Sequence, residues 1–171
     1  PKQEMVGGLY NYNGNPVLSS FSPLDFMGVR WTVLAEIDVA EAFVPTSADG
    51  KEFYKKYVDA YGYYDLFLIM PDGYIFYTAF REPDYQTNII SGKYKDSNLG
   101  DLMREVLKTN KYGVADFAPY APSNGAPAGF VAMPIIHPAD NELEMVVALQ
   151  LSLDAINSVM QQREGMGETG E

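Results

Sequence analysis

Side chains able to orient a small molecule are concentrated in two stretches of this sequence. The run "YIFYTAF" at 74–80, with Arg81 just after it, alternates so that Ile75, Tyr77, Ala79 and Arg81 fall on one strand face. A phenol, a small residue and a guanidinium on one face suit a polar ligand better than a dry core, and a guanidinium fits a carboxylate in a planar, bidentate way. The second stretch, "DFAPYAPSNGAPAGFVAMP" at 116–134, offers Asp116, Tyr120 and Ser123 as polar groups and Phe130 as an apolar wall. Asn88 lies in the polar connection between the two. Hydroxyl, amide and charged groups among aromatics and alanines make the general recipe of a ligand pocket. Asp65, opening a strand after three aromatic residues and a glycine, is a further acidic group at a strand start.

Catalytic constellations are missing. The single histidine, His137, sits between Ile136 and Pro138 in a hairpin connection and reads as a surface loop residue. With no cysteine, no second histidine and no glycine-rich phosphate loop, nothing completes a triad, a zinc site or a nucleotide cradle. No EF-hand spacing is present, and the acidic residues read as solvated surface. The expectation is a non-enzymatic protein without metal. No cofactor is expected either: one loop histidine is weak support for haem, and a flavin–cysteine photocycle needs a cysteine.

The elements that must position these residues follow from periodicity and turn chemistry. "YYDLFLIMPDGYIFYTAF" reads as a hairpin turning at Asp72-Gly73. Leu99, Leu102, Met103, Val106 and Leu107 recur at helical spacing up to about Asn110. Strands are expected at 114–121, 128–136 and 143–151, then a helix capped by Ser152 with Leu153, Ile156, Val159 and Met160 as its buried stripe. Upstream, Asp49 and Glu52 resemble a capping box opening a long helix whose apolar face is Phe53, Tyr54, Tyr57, Val58 and Tyr61. Pro119, Pro122 and Pro127 should stiffen the turn around Ser123-Asn124-Gly125, and Pro134 should mark where the next strand leaves the sheet. Hairpins around a five-stranded antiparallel sheet, with helices to one side and at the ends, make an α+β fold.

Before this module, the Asn13-Gly14 turn signal, the strand it introduces, the run "VRWTVLAEI" and a helical turn capped by Asp38 read as two strands and a short helix. That segment echoes the end of the module: Glu36 aligns with Gln150, Ile37 with Leu151, Asp38 with Ser152 and Val39 with Leu153. The expected organisation is the closing part of a preceding module at 1–45, one complete module at 46–163 and a linker at 164–171.

Composition bounds the partners. The 171 residues are 47% hydrophobic and 20% charged, a globular balance, and a chain of this length buries roughly two-thirds of its extended surface. A formal charge of -11 without a basic cluster opposes nucleic-acid binding. No run reaches the roughly 18 apolar residues of a membrane span, and no signal peptide is visible.

The phrases "YGYYDLFLIMPDGYIFYTAFREPDYQTN", "DFAPYAPSNGAPAGFVAMPI" and "VVALQLSLDAINSVMQQREGMGETGE" resemble the extracytoplasmic Cache (PAS-like) sensor region of bacterial methyl-accepting chemotaxis proteins. The segment "YNYNGNPVLSSFSPLDFMGVRWTVLAEIDVAEAF" is similar to the end of such a module, so the resemblance covers nearly the whole chain. It implies a PAS-like Cache module on the periplasmic side of the inner membrane, attached through flanking helices outside this sequence. Such a region binds a small molecule and passes a displacement to a membrane helix in chemotaxis. Amino-acid-binding members carry an arginine and a tryptophan close together in the pocket. Here the single tryptophan, Trp31, lies in the partial module, and the resemblance does not extend to amino-acid specificity.

The expected ligand is therefore a small organic molecule, a carboxylate or related metabolite, held between the sheet and the 81–110 segment by Tyr77, Arg81, Asn88, Asp116, Tyr120, Ser123 and Phe130. Its binding would shift the last helix by changing populations. The alternative is a structural or dimerisation module of a transmembrane kinase or cyclase receptor with a packed interior. A homodimer is compatible with either reading.

Overall fold

The computed structural model describes residues 4–10 and 16–160. The chain divides into two compact units, 1–53 and 54–171.

In the first unit three strands, β1 (Glu4–Tyr10), β2 (Pro16–Phe26) and β3 (Val29–Asp38), form an antiparallel sheet in that order. This is one strand more than the sequence suggests, because "EMVGGLY" carries two adjacent glycines that obscure its strand pattern. The Asn13-Gly14 turn lies outside the described residues. The β2–β3 turn is Met27-Gly28, with φ of 51° and 76°, closing the pair Phe26–Val29. Two left-handed residues match the twist of a tight hairpin, and methionine in that conformation gives little warning in sequence. Helix α1 (Val39–Phe43) begins as expected, with the Ala40 amide donating to the Asp38 carboxylate at 2.8 Å.

The helix expected from Asp49 forms, but it starts later, at Phe53. Gly50 has φ 76°, the Ser47–Gly50 segment closes a turn, and Asp49 accepts from the Lys51 amide at 3.3 Å. The Asp49 side chain thus serves a local turn instead of a helix start. Helix α2 spans only Phe53–Tyr61, and of its predicted apolar face Val58 is buried whereas Phe53 and Tyr61 are exposed.

The second unit is built on five antiparallel strands: β4 (Asp65–Ile69), β5 (Ile75–Thr78), β6 (Gly113–Pro119), β7 (Pro127–Ile136) and β8 (Leu143–Leu151). Their order is β5-β4-β8-β7-β6, which makes β8 the central strand. Helix α3 (Asn98–Thr109) is capped by the Ser97 hydroxyl, which accepts from the Gly100 amide at 3.1 Å, and ends at Asn110 in the left-handed conformation. Helix α4 (Leu153–Met160) follows β8 after one residue. The expected α+β architecture around a five-stranded antiparallel sheet is present. Among the described residues no helix is long and apolar enough to cross a membrane.

One face of this sheet makes the main core. Phe67, Ile69, Ile75, Phe130, Ala132, Val146 and Ala148 pack with Leu99, Leu102, Met103 and Val106 of α3, and with Ile89 and Tyr94 of the long connection. The other face carries Leu66, Leu68 and Tyr77, all buried, with the Tyr77 ring 5.7 Å from that of Tyr54 on α2. Strand β4 is buried at every position because both its faces are covered.

Three local expectations are corrected by this geometry. A register shift between Leu68 and Ile69 pairs Leu68 with Tyr77 but Ile69 with Ile75, so Ile75 and Tyr77 lie on opposite faces. Pro134 pairs with Val146 inside β7 rather than ending a strand. β6 reaches no further than Ala132 of β7, so the edge is open at Pro134 and its missing donor is tolerated. Ile156 of the expected buried stripe is exposed, the side chains of Val159 and Met160 lie outside the described residues, and so does the 164–171 linker.

Candidate functional site

Three positions in register form the floor of the site. Asp65 on β4 faces Gln150 on β8, and Gln150 faces Phe130 on β7. Directly opposed residues share a face, so this row lies on the α3 side of the sheet. All three are buried, Asp65 and Phe130 completely and Gln150 to 2% exposure.

Asp65 uses one oxygen, Oδ1, to accept from the backbone amides of Leu66 at 2.7 Å, Ala79 at 2.8 Å and Phe80 at 3.3 Å. It therefore fixes the point where the chain leaves β5. Immediately beyond, the Arg81 amide donates to the Thr78 hydroxyl at 2.7 Å, and Arg81 itself has φ 52°. This sharp turn aims the sequence "REPD" back across the end of the sheet, placing Glu82 and Asp84 beside the 120–126 loop.

That loop is closed by its own backbone. Pro119 pairs with Pro127, the Tyr120 amide donates to the Ala126 carbonyl at 3.0 Å, and the Gly125 amide donates to the Tyr120 carbonyl at 2.9 Å. The prolines thus bound the strands as the sequence suggests. The loop turns two side chains inward. The Tyr120 hydroxyl donates to Asp84 Oδ2 at 2.6 Å, and its ring sits edge-on to Phe130 at 4.9 Å. The Ser123 hydroxyl donates to Glu82 Oε2 at 2.6 Å and accepts from Gln150 Nε2 at 3.1 Å. The other Glu82 oxygen accepts from the Tyr64 hydroxyl at 2.8 Å.

The result is an interior corner rich in oxygen. Three buried acceptors in it make no hydrogen bond: Asp65 Oδ2, Asp84 Oδ1 and Gln150 Oε1. Buried polar atoms are ordinarily satisfied, because an unmet one costs about 1–3 kcal/mol. Burial pushes the Asp65 carboxyl up to about 7, with the Asp84 charge adding to it against the pull of the three amides. Burial also raises Asp84, opposed by the Tyr120 hydroxyl and reinforced by Glu82. The Tyr120 phenol is raised by burial and by the Asp84 charge. Tyr64 is raised, first through its hydrogen bond to Glu82.

Of the seven residues singled out in sequence, Tyr120, Ser123 and Phe130 meet in this corner. Tyr77 lies on the opposite face of the sheet, as its pairing with Leu68 requires. Arg81 is exposed on the turn leading to Glu82, its guanidinium 5.8 Å from the Tyr85 ring. Asn88 is a structural fastener: its amide donates to the Asp72 carbonyl at 2.8 Å, and its oxygen accepts from Ile90 and Ser91 at 3.1 and 2.9 Å. Asp116 is exposed and accepts from the adjacent Phe117 amide at 2.7 Å. Glu82, Asp84, Gln150 and Tyr64 escape sequence reading. Gln150 leaves a signal, as the lone polar residue on the buried face of "VVALQL", whereas "REPD" looks like an ordinary solvated connection.

Elsewhere, His137 occupies the β7–β8 connection with its Nδ1 3.1 Å from Asp140. Among the described residues no group of three or more His, Cys, Asp or Glu side chains is arranged to hold a metal ion.

No protein-family model matches the chain, and no curated protein does. Among solved structures, the chain is similar to the sensor domain of the V. cholerae histidine kinase DctB, at 18% identity and a TM-score of 0.46, over 65% of this chain and 39% of that one. It is also similar to the extracellular domains of two proteins described as histidine kinases. For mmHK1S-Z2 the identity is 10% and the TM-score 0.44, over 88% of this chain and 50% of that one. For rpHK1S-Z16 they are 14% and 0.41, over 92% and 56%. The chain spans at most 56% of the length of these neighbours.

Proposed function

We propose that this chain is an extracytoplasmic sensor region of a bacterial transmembrane receptor, of the chemoreceptor type its sequence resembles, and that its complete module binds a small organic molecule. The observation that carries this reading is the set of buried, unbonded acceptors at Asp65, Asp84 and Gln150, formed where three segments distant in sequence meet. Buried polar atoms are ordinarily paired, and a bound ligand is one partner that would meet these three. The position also suits signalling. Gln150 stands one residue before the end of β8, and α4 begins at Leu153. A ligand that favours one arrangement of the 81–87 and 120–126 segments would bias the exit of the sheet through Ser123 and Gln150.

The competing reading, a structural or dimerisation module, is favoured by one contact: the Phe130 ring is filled in by Tyr120 at 4.9 Å and Phe67 at 6.0 Å. A thermal-shift screen of the purified chain over metabolites separates the two. A ligand at 100 times its dissociation constant stabilises by about 2.7 kcal/mol. Loss of that shift in Gln150→Leu and Asp84→Asn supports the sensor reading. Silence across a broad screen, with a concentration-dependent dimer, supports the structural one.

A further inference from the structure

We infer that the corner formed by Asp65, Asp84 and Gln150 is a site for a primary ammonium group. This rests on the sensor reading above and goes beyond it by naming the ligand's chemistry, which differs from the carboxylate that the sequence suggests.

The donor and acceptor inventory decides the class. The groups that already bond to the three carboxylates of the corner are neutral: backbone amides on Asp65, the Tyr120 hydroxyl on Asp84, and the Tyr64 and Ser123 hydroxyls on Glu82. The charges that bear on Asp65, Asp84 and Tyr120 are those of other carboxylates. Three buried acceptors then remain, two of them carboxylate oxygens and one an amide carbonyl. A ligand carboxylate would bring acceptors to acceptors and negative charge to negative charge. An R–NH3+ group brings three N–H donors and one positive charge, one donor for each unmet acceptor.

Gln150 supplies the observation independent of the acidic cluster. Its Nε2 is committed to Ser123, which turns its carbonyl oxygen into the third acceptor without adding charge. It stands directly opposite Asp65 across the β4–β8 ladder, so the two side chains rise from neighbouring points on one face. Asp84 is tied to the same corner by geometry: it accepts from the Tyr120 hydroxyl, and the Tyr120 ring packs on Phe130, which stands opposite Gln150. The acceptors are out of reach of solvent, so entry goes through movement of the 81–87 and 120–126 segments that enclose them.

The test is calorimetric titration of the whole 171-residue chain with propylammonium and with 1,4-diaminobutane. Tetramethylammonium, propionate, NaCl and KCl are run at the same concentrations. The expected result is saturable binding of the primary amines alone, weakened at least about tenfold by Asp84→Asn and by Gln150→Leu. Affinity should strengthen from pH 6 to pH 8 as the corner's carboxyls ionise. Should a variant fail to fold, this pH profile on the parent chain carries the same information. Equal binding of tetramethylammonium, or equal response to KCl, overturns the ammonium assignment, because N–H donors would then be irrelevant. Preferential binding of propionate also overturns it while leaving the sensor reading intact. No amine binding, with acid alone stabilising the chain, overturns it in favour of protons occupying the unmet oxygens.

Discussion

Tyr120 and Asp84, far apart in the chain, meet through a 2.6 Å hydrogen bond in which the phenol donates to a fully buried carboxylate. Because Asp84 Oδ1 already lacks a partner, Tyr120 is the side-chain donor that makes Asp84 tolerable. Tyr120→Phe keeps the ring against Phe130 and removes only that donor. Urea denaturation should show a loss of about 1.5–3 kcal/mol, the range for a hydrogen bond to a charged group. In Asp84→Asn the same Tyr120→Phe change should cost clearly less, and equal costs in both backgrounds would sink the account.

The pH dependence of stability should run opposite to that of an ordinary salt-bridged carboxylate. Asp65 titrates near 7 when folded, above its usual value, so the folded state holds a proton that the unfolded chain has released. Its contribution is full below about pH 4 and is lost as pH rises towards 7, with a slope of up to about 1.4 kcal/mol per pH unit. Asp84 is raised in the same sense and adds to the trend. Without added amine, urea midpoints should fall between pH 4.5 and 7, and Asp65→Asn should flatten the profile. A midpoint that climbs with pH across that window contradicts a raised Asp65.

Ser123 is the coupling between the 82–84 segment and the central strand. Ser123→Ala removes a donor from Glu82 and an acceptor from Gln150 at once. Global stability should drop by about 1–2 kcal/mol. Hydrogen exchange at Gly125 and Ala126, whose amides bond within the loop, should accelerate more than exchange in α3. Uniform acceleration would show that Ser123 serves the fold and not this junction.

The connection between β5 and α3 is held at the hairpin tip by close packing. Gly73 has φ 88°, and a Cβ there would lie 2.4 Å from a side-chain carbon of Ile90. Gly73→Ala should therefore cost about 2 kcal/mol or more, combining backbone strain with the clash. Asn88→Ala, which frees the Asp72 carbonyl and two amides, should cost about 1–2 kcal/mol. The two losses should fall short of additive in the double variant, since both act on one junction.

Sequence reading recovers the elements that obey one dominant local rule. The Asp72-Gly73 turn, the periodic stripe of α3, and the strands bounded by Pro119 and Pro127 are legible for that reason. It fails where a single backbone choice overrides the pattern. Gly50 closes a turn that delays to Phe53 the helix Asp49 and Glu52 would start, Met27 takes a left-handed turn, and one bulge beside Ile69 sends Ile75 and Tyr77 to opposite faces. The candidate site is legible in the same proportion. Tyr120, Ser123 and Phe130 stand out because prolines frame them, whereas Glu82 and Asp84 are hidden because charged residues in a turn-rich connection are normally solvated.

The corner draws on β4, the 82–84 segment, the 120–123 loop and β8, separated by up to 85 positions between Asp65 and Gln150. Such non-local pairings carry the loop-closure entropy of most of the module and slow its folding. A fragment that lacks any one of these segments lacks part of the site. A molecule that binds only the assembled corner would therefore stabilise the folded module as a unit, by an amount that grows with its concentration.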